Sequence, residues 1–267
     1  MRDIVENVRG VETIPRGQTV RGFTISEGRY EVRIAESDDE IENALRLRHR
    51  VFNVELAGRD ETNELEVDEF DAICEHLIVI ETTSGKTVGT YRLNSYERAS
   101  AVDGFYSFQE FSIEDLPKEV LRSGVEIGRA CIAPEHRNTK VLYLLWRGLA
   151  RYMEIKGKRF LFGCCSIFSR DSLMGERAFH QLAEQGHFHE RFRVEPRRNA
   201  LYLGPVNEIE SCPIELPSLF NMYLRIGAKV CGPPIIDEDF GTIDFFVVFD
   251  RETMTEKCRK TFFSNRS

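Results

Sequence analysis

The sequence predicts a mixed sheet in an α/β or α+β domain, and three observations lead there. Apolar runs of strand length recur along the chain, some alternating and some continuous. Longer amphipathic runs stand between them. Their order is strand, helix, a run of strands, then helix and strand in alternation. At 267 residues the chain has room for one large domain or two small ones.

The elements follow in order. Residues 1–28 read as an N-terminal arm, because Gly10, Pro15, Gly17, Gly22 and Gly28 break any periodicity. "RYEVRIAE" alternates and predicts the first strand. In "SDDEIENALRLRHRVFNVEL", Ser37 and Glu40 have the spacing of a capping box, and Ile41, Leu45 and Phe52 lie on one helical stripe. "AGRDETNELEVDEFDA" is an acidic connection. "CEHLIVIETT" and "KTVGTYRLNS" flank a turn and predict a hairpin. Residues 95–122 form a long connection rich in Phe, of the kind that tends to be functional or mobile. "GVEIGRACIA" is a strand, and a helix follows Pro134 from about Asn138 to Gly157. "KRFLFGCCSI" has the composition of a strand buried on both faces. A helix near "RDSLMGERAFHQLAEQG", a strand "HFHERFRVE", a helix "ELPSLFNMYLRIGA" and a final strand "TIDFFVVFD" complete the chain. A single domain over residues 29–267 is expected, its extension from about residue 205 supplying the last strand.

Bulk properties narrow the function. No window approaches eighteen uninterrupted apolar residues, so no membrane-spanning helix is expected. "MRDIVENVRG" carries early acids and no apolar segment, unlike a secretory signal. Seven cysteines without paired CxxC spacing suit reduced thiols and a cytoplasmic location. The formal net charge is −8, but it is unevenly placed. Residues 36–81 hold fifteen acids against four arginines, whereas residues 136–160 hold seven Lys/Arg against Glu154 alone. These are either solvated faces or an acidic mouth for a cationic substrate and a basic patch for an acidic or phosphorylated partner. The acidic balance and the few aromatics in the basic run argue against nucleic acid.

Charges inside apolar runs carry the chemistry. Arg48 stands on the helical stripe between Leu45 and Phe52, where it needs a carboxylate or must snorkel past the core. Asp68 and Asp71, three apart, are the candidate partners and could equally cap a turn. Glu126 and Arg129 interrupt a strand, with Gly128 between them as a candidate bulge. A bulge would turn both side chains one way and leave a backbone N–H for an oxyanion, with Glu126 as base toward an attacking amine. The other reading is an ion pair at a sheet edge. Phe105, Tyr106, Phe108 and Phe111 are either a fatty-chain groove or ordinary core. His187 and His189 would share a strand face, but without a third ligand no metal site is expected. Cys164 and Cys165 read as buried, inert thiols.

Taken together, "RHRVF" with Arg48 and Phe52, "DEFD" with Asp68 and Asp71, "YRL" with Arg92, and "EIGR" with Glu126 and Arg129 resemble the acyl-homoserine lactone synthases. Those enzymes belong to the GCN5-related N-acyltransferase superfamily. "DEFDAICEHLIV", "VGTYRL", "GFYSFQEFSI", "EIGRACIAPEHR", "LLWRGLARYM", "LFGCCS" and "LPSLFNMYLRIGAKVCGPPIIDEDFGTIDFF" are still more similar to the ornithine–acyl-[acyl carrier protein] N-acyltransferases and relatives labelled hemolysin-like. This resemblance covers about residues 30–250. The lactone synthases' tryptophan soon after "RVF" is absent here, where the only Trp is Trp146.

The resemblance implies a V-shaped central sheet flanked by helices, with an acyl-pantetheine arm between the strand ending near Ala133 and that starting near Phe160. It implies Glu126, Gly128 and Arg129 as catalytic residues. Arg48, Phe52, Asp68, Asp71, Arg92, Phe105 and Phe108 would contact substrate, with Asp68 and Asp71 receiving the acceptor's cations. In relatives that use coenzyme A, a glycine-containing loop cradles pyrophosphate at a helix N-terminus. Here "RNTKVL" keeps Arg137 but lacks both glycines, and Lys140 and Leu142 stand in their place. Arg137, Lys140, Arg147 and Arg151 would then meet acyl carrier protein, whose phosphopantetheine carries the acyl co-substrate; no bound cofactor is expected. The expected activity is transfer of a 3-hydroxy fatty acyl group to the α-amine of ornithine, with transient contact at the inner membrane surface. Glycine, glutamine or lysine as acceptor, a lactone-forming synthase, and a non-catalytic carrier-protein or lipid-binding module are the alternatives.

Overall fold

The computed structural model describes residues 22–60, 64–100, 104–201, 203 and 213–263. Residues 1–21 of the expected arm, 61–63 of the acidic connection, and 204–212 and 264–267 of the expected extension lie outside the described residues. The chain divides into two compact units.

The first unit takes the chain as far as Asp103, Ile127–Lys158, and the end from Lys260. Strands β1 (Ile25–Glu27), β2 (Tyr30–Ile34), β3 (Glu75–Glu81) and β4 (Lys86–Ser95) are antiparallel neighbours in that order. Residues 25–27, counted with the arm in the sequence, supply β1. Next to β4 lies β5 (Gly124–Ile132), whose first three residues belong to the second unit.

Helix α1 (Asp38–Arg48) begins as predicted, with Ser37 Oγ accepting from Glu40 N at 3.3 Å. The Glu40 carboxylate reaches one residue further back than a regular capping box, accepting from Glu36 N at 2.7 Å. The apolar stripe of α1 packs on Ile78 of β3. Beyond Arg48 the chain widens into a π-helix, His49–Leu56, which carries Phe52 off that stripe to a half-buried position. Helix α2 (Thr139–Lys156) covers the other face, its limits set by Asn138 as N-cap and left-handed Gly157 as C-cap. Close approach is possible because position 148 is glycine: a Cβ there would stand 2.8 Å from Val32 and 2.9 Å from Leu77.

The second unit comprises Gly104–Glu126 and Arg159–Arg259. It contains β6 (Phe160–Ile167), α3 (Ser172–Glu184), α4 (Ser218–Ile226), β7 (Lys229–Val230), β8 (Ile235–Asp237) and β9 (Thr242–Asp250). Strand β6 pairs antiparallel with β9 along its whole length, and parallel with β5 over three residue pairs ending at Glu126↔Phe162. The pattern is therefore mixed, as expected. Helices α3 and α4 cover the β9 face of Ile243 and Phe245, with Gly175 against Ile243 and the Phe220 ring 5.7 Å from Phe245.

The opposite face, with Phe162, Cys164, Asp244 and Phe246, is covered by the Phe-rich connection. That segment folds into short helical turns at Tyr106–Gln109, Ile113–Asp115 and Lys118–Arg122. Phe105 meets Phe162 edge-on at 5.0 Å and Phe111 lies 5.9 Å from Phe246. Both are buried among core residues, and Phe108 is half-buried and stacks on Phe105. "HFHERFRVE" is not a strand. His189 Nδ1 accepts from Arg191 N and Phe192 N, which turns the backbone out of an extended path.

Among the described residues no helix is long and apolar enough to cross a membrane. Gly124 is fixed sterically: a Cβ would meet the Val120 carbonyl oxygen at 2.3 Å and the Phe162 ring at 2.6 Å. Gly124→Ala is expected to lower stability by about 1–3 kcal/mol, read as a reduced urea midpoint.

Candidate active site

Arg48 is fully buried and does not snorkel. Its guanidinium donates to Asp71 through two parallel bonds of 2.6 and 3.0 Å, while its Nε donates to Glu66. Arg92 donates to both Asp68 and Asp71, and Arg129 donates to Glu66 Oε1 at 3.1 Å and Asp68 Oδ2 at 2.9 Å. Three arginines and three carboxylates thus interlock. Burial alone raises the Asp71 carboxyl, but Arg48 and Arg92 outweigh it and hold it far below the usual carboxylate range. The Arg48 and Arg92 guanidiniums are raised in turn by these acids against the effect of burial.

The aspartates also cap a turn, so both sequence readings of "DEFD" hold. Asp68 Oδ1 accepts from Phe70 N, and Asp71 Oδ2 accepts from Asp68 N, both at 2.9 Å. Asp68 and Asp71, expected to receive an acceptor's cations, are engaged first with the chain's own arginines. Each Asp71 oxygen already accepts two hydrogen bonds within the chain, and both Asp68 oxygens accept from its arginines.

The strand irregularity predicted at Gly128 lies one residue later. Arg129 has φ 49°, a left-handed backbone inside β5 at a residue with a side chain. Such a conformation costs about 1–3 kcal/mol, and the two carboxylates gripping the guanidinium offset it. Glu126, 6% exposed, accepts from Tyr106 N at 2.9 Å, Ser107 N at 2.7 Å and Ser107 Oγ at 2.6 Å. It anchors the first turn of the Phe-rich connection. Ser107 Oγ also lies 3.7 Å from Cys164 Sγ, which donates to Glu110 Oε2 at 3.0 Å. Cys164 therefore does have a carboxylate neighbour, but burial and that acid push its thiol well above the ordinary range and keep it inert.

Most cations of the basic stretch have internal partners. The Arg137 fork closes on Glu55, and its Nε donates to the Ile132 carbonyl. Arg147 lies 3.7 Å from Glu27, Arg151 pairs with Glu154, Lys158 with Glu97, and Arg159 with Asp250. Lys140 is exposed. At the start of α2, the N–H groups of Lys140 and Val141 donate to Asn138 Oδ1 at 3.0 and 3.1 Å.

Residues 47–147, which hold the arginine network and all of β5, match the family described as Acetyltransferase (GNAT) domain. The L-ornithine N(alpha)-acyltransferase of Brucella abortus (strain 2308) is 33% identical over 246 residues, covering 86% of this chain and 87% of that one. The enzyme of the same name from Rhodobacter capsulatus is 33% identical over 251 residues, covering 89% and 95%. The chain belongs to the L-ornithine Nα-acyltransferase family. It is an N-acyltransferase, and so takes an acyl donor and an amine acceptor. Among solved structures, a CoA-dependent acyl-homoserine lactone synthase aligns over 85% of this chain and 84% of its own, with 14% identity and a TM-score of 0.48.

Of the residues expected at the site of this acyltransferase, Arg48, Asp68, Asp71, Arg92 and Arg129 come together, while Phe105 goes to the core. Glu66, which bridges Arg48 and Arg129, joins them without being singled out by the sequence. Glu66 is one of fifteen acids in its stretch, and nothing in the run marks it as the bridge between Arg48 and Arg129.

Arg48→Met leaves Glu66 and Asp71 buried without their shared cation, and is expected to cost about 3–5 kcal/mol in urea denaturation. His76, buried beside this network, is held to about 4 by burial, with Asp71 opposing and the two arginines reinforcing the effect. Between pH 6.5 and 4 the unfolded chain takes up a proton that the folded chain refuses. Stability therefore falls with falling pH across that window, by roughly 3 kcal/mol in all. Urea midpoints at pH 7 and pH 5 should differ more for the wild type than for His76→Phe.

Proposed function

We propose that the protein transfers a 3-hydroxy fatty acyl group from acyl carrier protein to the α-amine of ornithine, the first step toward an ornithine lipid. The observation that carries this reading is the one-third identity, across nearly nine-tenths of the chain, to enzymes bearing the L-ornithine Nα-acyltransferase name. Glu126 takes a proton from the α-ammonium, directly or through water, and the freed nitrogen attacks the thioester carbon. A backbone N–H beside Gly128 and Arg129 steadies the oxyanion. The C–S bond then breaks, and the pantetheine thiol leaves with a proton. Arg48, Arg92 and Arg129 hold the carboxylate network that keeps this part of β5 in its strained shape.

The helix start supports a carrier protein over coenzyme A as donor. The Lys140 and Val141 amides in the first turn of α2 already donate to Asn138, and side chains stand where a pyrophosphate cradle needs glycine. Lys140 and the neighbouring arginines suit an acidic protein surface instead. The product is amphiphilic, so brief contact with a membrane surface is expected at release.

Incubation with 3-hydroxyacyl carrier protein and a pool of amino acids should yield N-acylornithine by mass, and the coenzyme A thioester should react more slowly. Transfer to another amino acid would reassign the acceptor. Transfer to none would leave a binding module. Glu126→Gln should lower kcat/KM by about 10²–10⁴ while leaving carrier-protein binding intact. Full acyl transfer in that variant would move the base elsewhere.

A further inference from the structure

The first unit holds a cavity of about 260 Å³ lined by residues outside the arginine network. The end of α1, the π-helix, the start of β4 and the turn after β5 form its walls. Arg46, Arg50 and Lys86 line it together with the His136 ring and the Asn43 amide, and Glu135 is the acid among them. Lys86 is exposed, and its ammonium makes no ion pair among the described residues. Arg46 pairs with Glu42 one turn back on its own helix. Arg50 donates to Glu135 at 3.1 Å, with both side chains about half exposed, so solvent screens the pair and an entering anion displaces the acid at little cost.

The His136 ring is set to donate. Asn138 Oδ1 accepts two backbone amides, which fixes its Nδ2 as a donor, and that nitrogen donates to the Tyr30 hydroxyl at 3.4 Å. Arg29 donates to the same oxygen at 3.2 Å. The Tyr30 hydrogen is therefore left for His136 Nδ1, 3.1 Å away, and that nitrogen accepts. A neutral ring then carries its own hydrogen on Nε2, which meets no partner among the described residues.

We propose that this cavity binds a phosphate ester. A phosphate offers more acceptor oxygens than a carboxylate, and so engages guanidinium forks, an ammonium and an imidazole N–H together. The volume falls just below the range of about 300–1,000 Å³ usual for drug-sized ligands. It suits a phosphorylated end group and is too small for a whole coenzyme A. The site is distinct from the start of α2, where Asn138 takes up the Lys140 and Val141 amides. Two sources share this chemistry: the phosphopantetheine arm of a carrier protein, and a small soluble phosphate compound. The inference depends on neither the acceptor nor the base proposed above.

Calorimetric titration of the full chain with pantetheine 4′-phosphate and with pantetheine tests it, because the two differ only in the phosphate. The phosphate form should bind at least about tenfold more tightly, and inorganic phosphate should compete with it. Arg50→Met and Lys86→Met should each remove most of this preference without moving the urea midpoint, since both side chains reach solvent. Glu135→Gln, which frees the Arg50 fork, should enlarge the preference, and Lys140→Met should leave it unchanged. Apo carrier protein, which lacks the arm, then separates the sources. If the arm is the ligand, Lys86→Met weakens holo carrier and spares apo carrier. If a soluble compound is the ligand, it weakens inorganic phosphate and spares both carriers. Either result upholds the phosphate site. Equal affinity for pantetheine and its phosphate would overturn the inference. So would a preference that Lys140→Met removes while Arg50→Met and Lys86→Met leave it intact.

Discussion

The buried Arg48 guanidinium is the constraint around which the first unit is built. A solitary cation at that depth would cost several kcal/mol, so the chain must bring carboxylates to it. Asp71 supplies a parallel pair of bonds and Glu66 a third contact. This pins residues 66–71 against the end of α1 and draws in Arg92 from β4 and Arg129 from β5. Once both carboxylate partners of Arg129 are fixed, its backbone can be held in a left-handed conformation that an alanine there would leave. A network of this kind stabilises little compared with an apolar core of equal volume. Its contribution is to select one backbone path through β5.

The second unit solves the opposite problem. There the apolar face of β6 and β9 carries Cys164 and Asp244, and the connection covering it brings Glu110 and Ser107 as well as Phe105 and Phe111. Acids predominate where the first unit has balance, and protonation of Glu110 lets them share the space. The thiol of Cys164 then acts as a hydrogen-bond donor, a role in which its raised pKa is an advantage.

Much of this was legible from residues alone. Alternation and capping gave β2 to β6, α1 and the limits of α2, because Ser37, Asn138 and Gly157 act locally. The arginine–carboxylate set was legible because a charge inside an apolar stripe demands a partner. The same logic applies to Asp244 within "TIDFFVVFD", where the charge stands in a strand buried along its length. Other features depend on tertiary contact and leave no local mark. The π-helix after Arg48 has an ordinary helical pattern. His189 breaks an alternating run through its ring nitrogen. Phe105 and Phe111 find their place only through Phe162 and Phe246, more than fifty residues away.

One pairing bears on how the basic surface of the first unit is used. The Arg137 fork is closed on Glu55, with its partly exposed side chains in reach of solvent. Any acidic visitor must therefore compete with a resident carboxylate for the same guanidinium. A lone weak anion gains little from that exchange, whereas a ligand bringing several charges at once can displace Glu55 and keep the arginine. A half-exposed pair of this kind is worth at most about 1 kcal/mol, so the closed fork holds Arg137 in place without committing it.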